Sequence, residues 1–191
     1  FLHLQVLAQL HDSYILCSNE EGLVIVDQHA AQERYHYAQL NEKLLVQCTN
    51  KQPLMVPIQL DVSSNVLAQY MTINEKTAFF GIEFEPFGTD QLILREIPLW
   101  FHDVDQKQFL QDLLDYFVEN QDVDMAKLRK HMIATMACHS SIRFNRPLSM
   151  QEMEQVILDL QKCKQPYHCP HGRPTVIVMS DGELRKEFER G

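Results

Sequence analysis

The sequence predicts an α+β fold of two subdomains, in which a middle segment, residues 50–124, is inserted between chain ends 1–49 and 125–191 that form one unit together. Two observations predict it. Short apolar runs bounded by turn residues are interspersed with stretches whose apolar residues recur at helical spacing. The length of 191 residues, 45% of them apolar and 23% charged, suits one globular domain with a real core and a sizeable insertion.

Residues 4–10 and 13–17 read as short strands around His11-Asp12, and Asn19-Glu20-Glu21-Gly22 as a hairpin turn into a strand over 23–26. From Ala30 the pattern becomes helical and runs to about Leu45, before a polar, turn-like stretch at 47–52. Residues 55–60 are the next expected strand. Ser63 or Ser64 caps a helix over 65–79 that ends before Gly81. Residues 82–87 and 91–97 form an expected hairpin across Gly88-Thr89-Asp90. Phe109, Leu110, Leu113, Leu114, Phe117 and Val118 make an amphipathic helix whose stripe is core, with a partner surface as the alternative, and a further helix runs over 125–141. Ser149 and Glu152 have capping-box spacing ahead of Met153, Val156, Ile157 and Leu160. Residues 175–179 are the last strand, with a short charged helix behind it.

Composition excludes several functions. No apolar run is long enough to cross a bilayer, and the N-terminus has no signal-peptide pattern. A chain opening on Phe1 rather than Met is expected to be part of a longer one. The net charge of −9, from 17 basic and 26 acidic residues, repels phosphates, so this piece alone is expected to bind DNA weakly. Five cysteines without a secretion signal point to reduced thiols and to metal binding before disulfides.

Three stretches could carry chemistry. In DQHAAQERYHYA, residues 27–38, a helix starting after Asp27 puts His29 and Glu33 on one face, four apart, where an imidazole and a carboxylate can share a divalent ion. The bland alternative is that Asp27 caps the helix while the other two face solvent. In HCPHGRP, residues 168–174, Cys169 and His171 project to the same side of an extended segment that Pro170 and Gly172 stiffen and turn, a donor pair suited to zinc. A simple turn before the last strand is the competing reading. Cys138, in MACHS, is a third candidate donor or a small buried thiol. A cysteine hydrolase built on Cys169 or Cys138 lacks any local signature here. Together these stretches offer enough donors for one zinc site, or for a pair of ions suited to phosphoester hydrolysis.

DQHAAQER behind an apolar strand, Ala137-Cys138 with a basic residue shortly after, and CPHGRP before the final strand resemble the C-terminal domain of the MutL family of DNA mismatch-repair proteins. They occur in the family's order, and the resemblance runs from Leu7 to the closing Phe188-Glu189-Arg190. It implies a two-subdomain dimerisation and endonuclease fold, acting as a homodimer. The implied activity is metal-dependent nicking of DNA, directed by an N-terminal ATPase domain, by the mismatch-recognition protein MutS and by the replication sliding clamp. It also implies a bacterial, cytoplasmic and nucleoid-associated protein. Carried over, His29, Glu33, Cys138, Cys169 and His171 are metal ligands for zinc, with manganese or magnesium joining for turnover. Asp27 is the acidic residue needed for cleavage, alongside Glu33, and Arg173 supports the loop or faces a phosphate. Gln52, Leu54, Met55, Val56 and Pro57, in QPLMVP, resemble the family's clamp-binding motif, a glutamine amide followed by apolar anchors. Burial of the same apolar residues in an ordinary strand is the alternative for that stretch.

Two departures are visible. Ala38 stands where the family's first motif ends in Glu, which either weakens support around the ligands or is tolerated. His139 follows Cys138 where the family often has a basic residue. A dimerisation and clamp-tethering module, held by zinc and without catalysis, is the rival reading.

Overall fold

Strand and helix alternate along the chain much as the apolar pattern requires. In chain order the elements are β1 (Gln5–Leu10), β2 (Tyr14–Asn19), β3 (Gly22–Asp27), α1 (Gln28–Leu44), β4 (Lys51–Asp61), α2 (Ser64–Thr77), β5 (Glu85–Phe87), β6 (Gln91–Pro98), α3 (Gln106–Glu119), α4 (Met125–His139), α5 (Met150–Gln161), β7 (Val176–Ser180) and α6 (Asp181–Glu187). The structure, a computed structural model, describes residues 3–101, 104–139 and 144–190, with the side chain of Cys138 outside that set. The mixed α and β composition agrees with the expected fold class. No helix among the described residues is long and apolar enough to cross a membrane.

The chain divides into two compact units, residues 1–38 with 143–191, and residues 39–142. The expected bounds at 49/50 and 124/125 therefore differ from those in the structure. The reason is visible in α4, expected with the chain ends, which packs on α3 within the middle unit. There the Tyr116 and His131 rings stack at 3.9 Å and 10°, and His139 Nε2 lies 2.5 Å from Asp112 Oδ2.

In the unit formed by the ends, β1, β2, β3 and β7 make an antiparallel sheet in the order β1-β2-β3-β7. Side chains alternate across it. Ile15, Cys17, Val24 and Val26 point inward and are buried with Ala31 of α1 and Met153, Ile157 and Leu160 of α5. Burial pushes the Cys17 thiol up to about 11, as suits an inert core residue. The opposite face carries Leu16 against Ile25 and Ile177, and Leu23 against Met179, in register. Ile177 is 56% exposed and Leu16, Leu23, Ile25 and Met179 are half-buried, so this apolar face lacks full cover among the described residues of the unit. Gly22 sits at φ 145°, where a Cβ would come 2.3 Å from the Met179 carbonyl oxygen, so β3 can start beside β7 only with glycine there. Ser149 caps α5 in the expected capping box with Glu152.

The middle unit is built on a second antiparallel sheet, order β4-β6-β5. Its core includes Leu60, Phe84, Leu92, Leu94, Phe101 and, from the α3 stripe, Phe109, Leu110, Leu113 and Leu114. Two elements differ from expectation. The strand expected over 82–87 starts only at Glu85, because the Asn74 side chain takes both backbone groups of Phe84, donating to its carbonyl at 2.8 Å and accepting from its N–H at 2.8 Å. β4 begins at Lys51, inside the stretch read as a turn, because Lys51 and Gln52 pair with Pro98 and Ile97 of β6.

Candidate metal centre

The first element that carries candidate ligands starts from a helix cap. Asp27 ends β3, and its Oδ1 accepts the Ala30 N–H at 2.9 Å, which satisfies one of the orphan donors of α1. Its Oδ2 has no hydrogen-bond partner among the described residues. The next residue, Gln28, is 0% exposed, and its whole amide is used. Nε2 donates to the Phe144 carbonyl and, at 3.2 Å, to that of Arg146, while Oε1 accepts from Gln9 Nε2 at 2.6 Å. Gln9 in turn donates to the Arg146 carbonyl at 2.8 Å and accepts the Leu148 N–H at 2.9 Å. The amide pair thus fastens β1, the start of α1 and the segment leading into α5.

The second element is the loop 168–174. Cys169 N–H donates to the Arg173 carbonyl at 2.8 Å and Gly172 N–H to the Cys169 carbonyl at 2.9 Å, with Gly172 at φ 82° allowing the turn. His168 and Pro174 form an isolated antiparallel bridge. Asp27 N–H donates to the Thr175 carbonyl at 2.9 Å, so the end of β3 and the exit of this loop are tied directly.

These two elements bring three of the sequence candidates together. One donor atom each from Glu33, Cys169 and His171 lies within 4.8 Å of the others. His171 Nδ1 is 2.9 Å from Glu33 Oε1, close to the roughly 3.3 Å that two donors with bonds of about 2.0 Å subtend at a tetrahedral ion. Cys169 is 2% exposed, the Glu33 side chain 14% and the His171 side chain 51%. A buried thiol, a largely covered carboxylate and an open imidazole fit a zinc-type ion with one side facing solvent. His29 stands apart from this group, its ring edge-on to Phe144 at 5.1 Å and 78°. The side chain of Cys138 lies outside the described residues, and Arg143 lies outside them altogether. Arg173 contributes its carbonyl to the loop, while its exposed side chain makes no ion pair among the described residues. Cys17, Cys48, Cys163 and Cys169 form no disulfide.

QPLMVP lies in β4, but not in a regular ladder. Pro53 pairs with Glu96 and Ile58 with Leu94, so four residues, 54–57, stand opposite Arg95 alone. The bulge pushes Met55 and Val56 outward, 102% and 78% exposed, with Gln52 also exposed and Leu54 and Pro57 half-buried. Burial of Met55 and Val56 in an ordinary strand is therefore not what the fold does with them.

Sequence reasoning missed Gln28, Gln9 and Arg34. Arg34 Nε donates to the His168 carbonyl at 2.6 Å. All three act on main-chain carbonyls, whose identity no motif encodes.

A family model described as the MutL C-terminal dimerisation domain matches residues 7–148. The chain is 38% identical over 190 residues to the DNA mismatch repair protein MutL of Exiguobacterium sibiricum, covering 100% of the chain and 31% of that protein. It is 38% identical over 184 residues to that of Anoxybacillus flavithermus, covering 96% and 30%, and 35% identical over 193 residues to that of Lactococcus lactis, covering 100% and 29%. The chain thus spans less than a third of the length of these relatives, and it belongs to the MutL family of DNA mismatch-repair proteins, as their C-terminal dimerisation domain.

Proposed function

We propose that this domain homodimerises and carries the metal-dependent DNA-nicking activity of a mismatch-repair protein. The observation that carries the reading is the convergence of Glu33, Cys169 and His171 from two separate segments of the chain. The resemblance assigns His29 and Cys138 as further donors. A bound zinc ion, joined by manganese or magnesium for turnover, supplies Lewis acidity toward a phosphodiester and an acidified water. Asp27 ends its strand with one carboxylate oxygen committed to the helix cap and the other available as a proton acceptor or an added donor. Arg173, exposed on the ligand loop, supplies a cation for a phosphate oxygen.

The uncovered face of the β1-β2-β3-β7 sheet supports self-association. Leu16, Leu23, Ile25, Ile177 and Met179 form a contiguous apolar surface of the kind that a second copy buries. The bulge at 54–57 supports clamp docking, since Met55 and Val56 are presented as anchors beside the Gln52 amide. With a net charge of −9, the domain gains little from phosphate contacts, so delivery of duplex DNA falls to the ATPase domain, to the MutS partner and to the clamp. Ala38 favours one alternative, a zinc-held dimerisation and tethering module without catalysis.

Nicking of supercoiled plasmid by the full-length protein, with manganese and loaded clamp, separates the two. Activity that disappears in Asp27→Asn supports the nuclease. Absence of nicking by wild type, with zinc bound and the dimer intact, leaves the tethering module.

A further inference from the structure

We propose that Arg34 is a positioning residue for the metal centre, holding the Cys169–His171 loop in register with Glu33 through the His168 carbonyl. The inference rests on the metal-binding reading above. Arg34 and Glu33 are adjacent on α1, and successive residues of a helix point in directions about 100° apart. One helix therefore meets the loop at two separated points. Glu33 Oε1 meets His171 Nδ1 at 2.9 Å, and Arg34 Nε meets the His168 carbonyl oxygen at 2.6 Å. Cys169, the buried thiol, lies between these two contacts in sequence.

The loop itself is braced. The Cys169–Arg173 and Gly172–Cys169 backbone bonds and the His168–Pro174 bridge make it move as one piece. Apolar packing does little to set where that piece rests, because within 168–174 only Cys169 is buried and only Pro170 is half-buried. Beyond the backbone tie of its exit to β3 through Asp27 and Thr175, polar ties to α1 therefore orient it. A charge-assisted bond from a guanidinium is among the stronger of such ties, and its planar fork fixes direction as well as distance. The guanidinium is oriented in turn by Tyr37, whose ring centroid lies 5.6 Å from the Arg34 Cζ. Without Arg34, Glu33 and His171 keep their own contact, but the loop can pivot about it and carry the Cys169 thiol out of range of a shared ion. Removing a group that orients metal ligands typically lowers affinity by about 10- to 100-fold.

The test is zinc affinity of the 191-residue chain, measured by competition with a chromogenic chelator, for wild type, Arg34→Met and Cys169→Ser. The visible spectrum of cobalt-loaded protein reports thiolate ligation, and melting in chelator reports the metal-free fold. The expected result is a loss of zinc affinity of about tenfold or more in Arg34→Met, with weakened thiolate-to-cobalt absorption and a metal-free melting temperature close to wild type. If Arg34→Met does not fold, Arg34→Lys is read the same way, because it keeps the cation and stem but lacks the planar fork. Unchanged affinity and spectrum in the Arg34 variant, with Cys169→Ser impaired, overturns the positioning role alone. A metal-free destabilisation as large as the metal-bound one also overturns it, by showing a purely structural tie. Wild type binding zinc no better than Cys169→Ser overturns the metal reading itself and the proposal with it.

Discussion

Replacing Gln28 by Leu tests whether the residue behind Asp27 is an architectural bolt. The substitution keeps most of the volume at a position that is 0% exposed and removes the entire amide. Three hydrogen bonds go with it: two donated to Phe144 and Arg146 and one accepted from Gln9. They do not count equally. The Arg146 carbonyl keeps the Gln9 amide at 2.8 Å, and Gln9 keeps that bond and its bond from Leu148. The Phe144 carbonyl loses the donor that Gln28 supplies. Phe144 is half-buried, so its stranded carbonyl costs about 1 kcal/mol, the low end for an unsatisfied group, and a lost neutral bond about 1 kcal/mol net, so Gln28→Leu is expected to destabilise by about 2 kcal/mol. Urea unfolding at pH 7 measures this as a shift in midpoint at constant slope. Gln9→Ala on both backgrounds completes a double-mutant cycle, with a coupling near 1 kcal/mol expected from the shared bond. A Gln28→Leu cost below about 0.5 kcal/mol, or no coupling to Gln9, refutes the network as a source of stability.

Ile177→Glu places a charge on the edge strand of the uncovered sheet face, beside Ile25; the expected outcome is a monomer by light scattering with an unchanged circular dichroism spectrum, a weakening of self-association of about 100-fold or more, and a persistent dimer would remove that face from the interface. The Arg146 hydrogen bond, followed by those from the backbone and hydroxyl of Ser149, lowers the Glu152 carboxyl to about 2 from an ordinary 4.5. A carboxyl depressed on folding stabilises the fold above its unfolded value and loses that contribution as pH falls, here between about 4.5 and about 2. The stability gap between wild type and Glu152→Gln should accordingly close across that window in urea titrations, and a gap independent of pH contradicts the assignment.

Elements fixed by neighbours in sequence were legible from it. The Ser149–Glu152 capping box, the α3 stripe and the β3–α1 junction each depend on residues within a turn or two. Features set by distant partners were not. Nothing local says that Asn74 will occupy the backbone of Phe84 and delay β5, or that α4 will stack His131 on Tyr116 and join the middle unit. The bulge in β4 is similar: Met55 and Val56 read as strand residues by type, and only their register against β6 turns them outward. At the candidate metal centre, Glu33, Cys169 and His171 were legible because candidate donors are recognised by side-chain chemistry. Arg34 and Gln28 were not, because a residue that works on carbonyl oxygens leaves no partner type to search for.

Asp27 offers a choice between a helix cap and a reactive carboxylate, and the fold makes the two compatible. Oδ1 is spent on the Ala30 N–H, and nothing in that geometry requires the negative charge, since Asn caps a helix about as well as Asp. The Asp27→Asn exchange therefore separates the roles. It keeps an oxygen for the cap and the N–H that reaches Thr175, and removes only the anionic oxygen available to a proton or an ion. Its unfolding free energy should stay within about 0.5 kcal/mol of wild type, apart from the small interaction of a carboxylate with the helix dipole. If nicking is lost under that condition, the loss belongs to chemistry. If stability falls by 2 kcal/mol or more, the carboxylate charge is part of the architecture, and a parallel loss of nicking no longer identifies a catalytic group.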